Sequence, residues 1–155
     1  MPSIKYSINA PDSVKDIPMT FMKKLKDKTK LGSKIKLKNA EKRNKPSDIG
    51  LVFFPVVSRT GTDIDAAVSN IKDDKPVILV VLHHTFDPEA VVSDSSTFVK
   101  RENTLTVDCL FYEDKGLLEC KRNDKAYKNA IEWLKLMKSV MNKKDPLPNP
   151  DQHPV

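Results

Sequence analysis

The chain has 155 residues, which suits one domain with its own core. Charged residues make up 31% and hydrophobic ones 39%, a globular composition with polar segments and with no apolar run long enough to span a membrane. The net charge of +6 is unevenly placed: residues 23–45 hold eleven Lys and Arg against two acids, a local +9, which leaves the remainder at −3.

The opening "MPSIKYSINAPDSV" has no apolar core of the kind a secretory leader needs, and Pro2, Pro11 and Pro18 mark residues 1–18 as an irregular arm. Two cysteines, Cys109 and Cys120, make no disulfide framework, so the expectation is a cytoplasmic, reduced protein. "MTFMKKLKDKTKLG" reads as a short helix between Pro18 and Gly32, with Phe21, Met22 and Leu25 on one side and lysines elsewhere. Such a stripe either packs on the domain or lies on a membrane surface. "SKIKLKN" alternates, Ile35 and Leu37 opposing Lys34, Lys36 and Lys38, as an edge strand does.

"IGLVFFPVV" is almost continuously apolar, the mark of a strand covered on both faces. "TDIDAAVSNI" follows with Ile64, Ala67, Val68 and Ile71 at helical spacing and Thr62 or Asp63 as its cap. "PVILVVLHHTF" is a second central strand, so the three segments form a parallel βαβ unit. Residues 87–103 read as a long surface loop with one helical turn.

"TLTVDCLFYEDKGLLECKRND" reads as a hairpin. Leu105, Val107, Cys109 and Phe111 share a face. Placing Leu118 and Cys120 on that face requires a two-residue turn, whereas a three-residue turn at Gly116 sets them opposite. The hydrophobic face is preferred, and it makes both cysteines buried neighbours. "NDKAYKNAIEWLKLMKSVMNKK" is a helix capped by Asn123 or Asp124, with a stripe from Ala126 to Met141. Residues 143–155 carry four prolines and read as a disordered tail. The fold class is α/β: a single domain, residues 19–142, with a mixed sheet of about five strands, a parallel centre, a β-hairpin and flanking helices.

In open α/β sheets ligands bind beyond the carboxyl ends of the strands. Two polar segments fall there. In "SRTGTD", Ser58, Thr60 and Thr62 offer hydroxyls, Arg59 a charge, and Gly61 a close backbone approach at a helix N-terminus. In "HHTFD", adjacent His83 and His84 point to opposite sides of a strand, so they do not share a metal. One of them suits acid/base work with Asp87 or Asp63 as orienting partner. No metal-ligand spacing or nucleotide motif accompanies them, so neither a metal nor a cofactor is expected.

"SRTGTD" resembles the flavodoxin phosphate loop, Ser/Thr-x-Thr-Gly-x-Thr after a strand. Ser58, Thr60 and Gly61 match, Asp63 replaces the last Thr, and the aromatic residues that flank a flavin have no counterpart downstream. The resemblance implies phosphate binding. Residues 49–124 as a whole are similar to small proteins of fish and other aquatic animals, some of them virus- or interferon-inducible. That resemblance implies a role in innate antiviral defence and carries no catalytic residue.

Three functions fit these features. The first is a non-enzymatic protein-interaction module. The second is a domain for a phosphate-bearing ligand held by Ser58–Asp63 and His83–Asp87. The third is nucleic-acid or anionic-lipid binding through the basic segment, with Lys34, Lys36, Lys38, Lys42 and Arg43 as contacts. No aromatic residue is interleaved with those lysines, which argues against base stacking.

Overall fold

The computed structural model describes residues 3–14, 16–29, 35–56 and 60–143. Apolar runs that are buried on both faces form the centre of one sheet. Strand β4 (Val77–His84) is the most apolar stretch of the chain, and Val77 to Leu82 are all buried. It lies between β3 (Ile49–Pro55) and β5 (Thr104–Tyr112), parallel to both. Strand β1 (Ile4–Asn9) joins β3, and β2 (Leu37–Asn39) forms the outer edge beside β1. At the other edge, β6 (Gly116–Leu117) runs antiparallel to the end of β5. The six-stranded order is β2-β1-β3-β4-β5-β6. The fold is thus a single α/β domain with a mixed sheet, and its parallel part has the doubly wound order of flavodoxin-like proteins.

Residues 1–18 are not the irregular arm that their prolines suggested. Ile4, Tyr6 and Ile8 turn alternately toward the core, and β1 sits inside the sheet. This strand raises the count from five to six.

Two layers cover the sheet. On one face lie α1 (Ile17–Thr29) and α3 (Lys121–Lys143). Phe21 of α1 meets Phe53 edge-on, with ring centroids 5.5 Å apart, and tilts against Tyr127 of α3 at 5.4 Å. The apolar side of α1 is therefore spent on the core, and the membrane-surface reading of that helix is set aside. Its lysines fold back as well. Lys24 Nζ lies 2.9 Å from Glu119, Lys26 reaches the Tyr6 hydroxyl at 3.3 Å, and Lys28 sits over the Tyr127 ring.

On the opposite face, α2 (Thr60–Ser69) sets Ile64 on Leu79 and Val81, with Val68 and Val99 beside them. The helix starts two residues earlier than its sequence indicated, so Thr62 and Asp63 lie in the first turn and do not cap it. Ile71 falls beyond the helix end.

The hairpin turns through three residues, pairing Tyr112 with Gly116 and Phe111 with Leu117. Gly116 has φ +69°, a conformation that suits glycine. Leu117, not Leu118, thereby shares the face of Phe111, and Cys120 is only half-buried whereas Cys109 is fully buried. Asn123 is not a helix cap either. It lies in the first turn of α3, and its buried amide accepts from Leu110 N–H (2.7 Å) and donates to the carbonyls of Leu110 (2.9 Å) and Leu118 (2.8 Å). One side chain so completes the β5 edge where β6 has ended.

Among the described residues no helix is long and apolar enough to cross a membrane. The Pro-rich segment 144–155 lies outside the described residues.

Two outcomes are expected. Asn123→Ala leaves buried main-chain groups of Leu110 and Leu118 unsatisfied and should cost about 2–4 kcal/mol in denaturant unfolding. Burial pushes the Cys109 thiol far above its usual range. A thiol reagent at pH 8 should therefore label Cys120 alone in the native protein and both cysteines after denaturation.

Candidate functional site

The connection between β4 and β5 (residues 85–103) is long, yet it is tied down along its length. Thr85 N–H donates to Phe111 O (2.9 Å), continuing the ladder past the strand end. Asp87 then forms a local turn: its N–H donates to Thr85 Oγ1 and its carboxylate accepts from Glu89 N–H. Asp94 caps the 3-10 turn Ser95–Phe98, accepting from the N–H and hydroxyl of Ser96 at 3.0 and 2.6 Å. Those two bonds hold the Asp94 carboxyl below its ordinary range. At the far end, the Arg101 guanidinium donates to the carbonyls of Asp73 and Lys75, each at 2.8 Å, and to Thr104 Oγ1.

The centre of this anchorage is Asp108. Its side chain is 7% exposed and turns toward the α2 face, beside Val81. Asp108 accepts from Ser95 N–H (3.1 Å), from the Ser95 hydroxyl (2.5 Å) and from His83 Nε2 (2.7 Å). Three donors converge on one carboxylate, which is how a buried charge is tolerated. The same bonds hold the proton of His83 on Nε2. The orienting partner of His83 is therefore Asp108 on the neighbouring strand. Asp87 is committed to its own turn, and neither it nor Asp63 takes that role.

His83 and His84 do face opposite sides of β4. His84 is exposed, stacks on Tyr112 with ring centroids 5.1 Å apart, and meets Phe111 edge-on at 5.3 Å. Phe86 adds a second ring against Tyr112 at 6.3 Å. Among the described residues no group of three His, Cys, Asp or Glu could hold a metal ion.

Ser58 and Arg59 lie outside the described residues; Thr60, Gly61 and Thr62 form the first turn of α2. A Cβ on Gly61 would lie 3.1 Å from two ring atoms of Phe98. The close approach that Gly61 permits is made here by the chain's own 3-10 turn. That turn also carries Ser95, so it joins the start of α2 to the Asp108–His83 pair. The basic residues stand apart: Lys36 directly precedes β2, Lys38 lies in it and Lys42 and Arg43 in the turn after it, at the edge of the sheet opposite β6, and Lys34 is outside the described residues.

Sequence reasoning missed Asp108, Ser95, Arg101 and Phe98. For Asp108 a signal existed. Leu110 shares its face of β5, and a strand covered on both faces admits a carboxylate only with partners.

No family model matches the chain, and no curated protein matches it. Among solved structures it is similar to the metal-soaked Flv1 flavodiiron core from Synechocystis sp. PCC6803, at 12% identity and a TM-score of 0.40. The match covers 89% of this chain and 37% of that one, so the chain spans little more than a third of that protein's length. At that TM-score the likeness carries no functional argument. The fold assignment stands on the strand order itself.

Replacing Asp108 by Ala strands three donors and should cost about 3–5 kcal/mol. Amides of residues 86–98 should exchange faster than in the parent protein while those of β3 keep their relative protection. Unchanged exchange in that segment would show that the pair does not hold the loop.

Proposed function

We propose that the protein is a non-enzymatic protein-binding module whose contact surface is the β4–β5 connection. One observation carries this reading. A segment fixed by Asp108, Asp94 and Arg101 holds two large apolar side chains in solvent, Phe86 at 78% and Val91 at 92% exposure. Phe98, on the same segment, is also partly exposed. Ordering a loop costs conformational entropy, and a rigid loop that presents apolar groups has the form of a binding surface. Aromatic side chains in such a position serve as anchors in a partner's pocket.

Ligand binding at the strand ends has less support. Phe98 lies on Gly61, and His83 is only 11% exposed and already bonded to Asp108. The resemblance to virus- or interferon-inducible animal proteins is what supports placing these contacts in antiviral defence. A transcript that does not respond to interferon in the source animal would count against that placement.

The binding reading is tested with a Phe86→Ser/Val91→Ser variant, immobilised beside the parent protein and exposed to extract from the source tissue. Both substitutions are at exposed sites, so the thermal midpoint should stay within a few degrees. Partners should be retained about tenfold less by the variant, the loss expected when anchor side chains are truncated. Equal retention of every captured protein would sink the assignment of this surface.

A further inference from the structure

We propose that the open edge of β5 is a peptide site, which takes an extended, acidic segment of a partner protein as an added strand. The inference rests on the protein-binding reading and names the chemistry of the partner.

Main-chain groups of a strand alternate in direction. Asn103, just before β5, and Phe111 within it offer their carbonyls to Val77 and Thr85 on the β4 side. Leu110 and Tyr112 point the other way, toward Asn123, Leu118 and Lys115. Thr106 and Asp108, at the same parity as Leu110, therefore direct N–H and C=O outward. β6 is only two residues long and pairs no further down than Phe111. Among the described residues no group bonds to the main chain of Thr106 or Asp108. Exposed edges are commonly blunted by charge, proline or a covering element. This one carries Leu105, Thr106 and Val107 in succession, with no proline or charge among them, and no strand pairs with them on that side.

The edge does not face open solvent. It forms the floor of a groove of about 410 Å³ between α3 and the β4–β5 connection. Arg122 and Lys125 stand on the α3 wall, Val92, Asp94 and Ser96 on the other. Two walls leave room for a single extended chain and obstruct the approach of a second whole sheet, so the occupant is a peptide segment. Its side chains would alternate between the walls. Those toward α3 meet two cations, and both acids of the groove are already engaged, Asp94 with Ser96 and Asp108 with Ser95 and His83. An acidic residue suits that side. Val92 and Ser96 suit a small apolar residue on the next. The groove adjoins Val91, so an occupant would continue onto the apolar contact surface.

The probe is an N-acetylated, C-amidated pentapeptide of alternating valine and glutamate, added to the ¹⁵N-labelled full chain. The Thr106 and Asp108 amide signals should shift saturably, and their hydrogens should exchange about tenfold more slowly, as protection by a new hydrogen bond requires. Thr106→Pro removes an outward N–H without touching the ladder to β4, and should abolish the shift. As a check that does not depend on that variant folding, the same peptide N-methylated at alternate residues should lose binding to the parent protein. No saturable shift at millimolar peptide, or equal binding of the N-methylated form, would overturn the proposal. So would protection of these amides that rises with protein concentration alone, which would mean a second copy occupies the edge. If Thr106→Pro still captures the partners that the Phe86/Val91 variant loses, the groove falls and the binding module stands.

Discussion

A parallel sheet has to be covered on both faces, and most of this molecule follows from how unequally that is done. One face has two helices of 13 and 23 residues. The other has only α2, ten residues long. Strand β4 is apolar from Val77 to Leu82 and cannot be left half-wet there. The connection from β4 to β5 must therefore act as a second cover, though its one helical piece is the short 3-10 turn Ser95–Phe98. What a helix would do by packing, this segment does with hydrogen bonds. Asp108 is the fixed point of that arrangement, because its neighbours along β5 are bonded to β4 while three donors hold its carboxylate.

Polar groups buried in a sheet are costly unless fully matched. Asp108 and Asn123 share that problem and solve it in opposite directions. Asp108 looks across the sheet face and recruits a loop. Asn123 looks along the plane of the sheet and imitates a strand, meeting Leu110 as a paired residue would. The two together explain why β5 can be long and central in its upper half yet remain an edge lower down. No buried side-chain nitrogen or oxygen among the described residues lacks a partner, so the polar cost of this design is met within the domain.

The architecture was largely legible in the sequence. Continuous apolar runs gave β3 and β4, a helical stripe gave α3, and the edge character of β2 was written in its lysines. Strand β1 was equally visible in the alternation of Ile4, Tyr6 and Ile8, but the flanking prolines obscured it. Residue type misled at Asn123, which suits a cap as well as it suits a buried tie, and only the true start of α3 at Lys121 separates the two. The hairpin was misjudged because its strand ends at Leu117, so the conflict between turn length and hydrophobic face never arises. The site was less legible for a plain reason. His83 and Asp108 are 25 residues apart, and their meeting depends on the register that sets Val81 beside Asp108. Local patterns state which residues are apolar and say nothing of which rung of a neighbouring strand they will share.

The contact between Gly61 and Phe98 has a mechanical consequence. A methyl group at position 61 would press on the ring at 3.1 Å, a separation that only a small yielding of the neighbour relieves. The height of the loop above the sheet is thus gauged by a missing atom. Larger residues there would act as a wedge, lifting the whole cover from one end while Arg101 holds the other like a hinge pin.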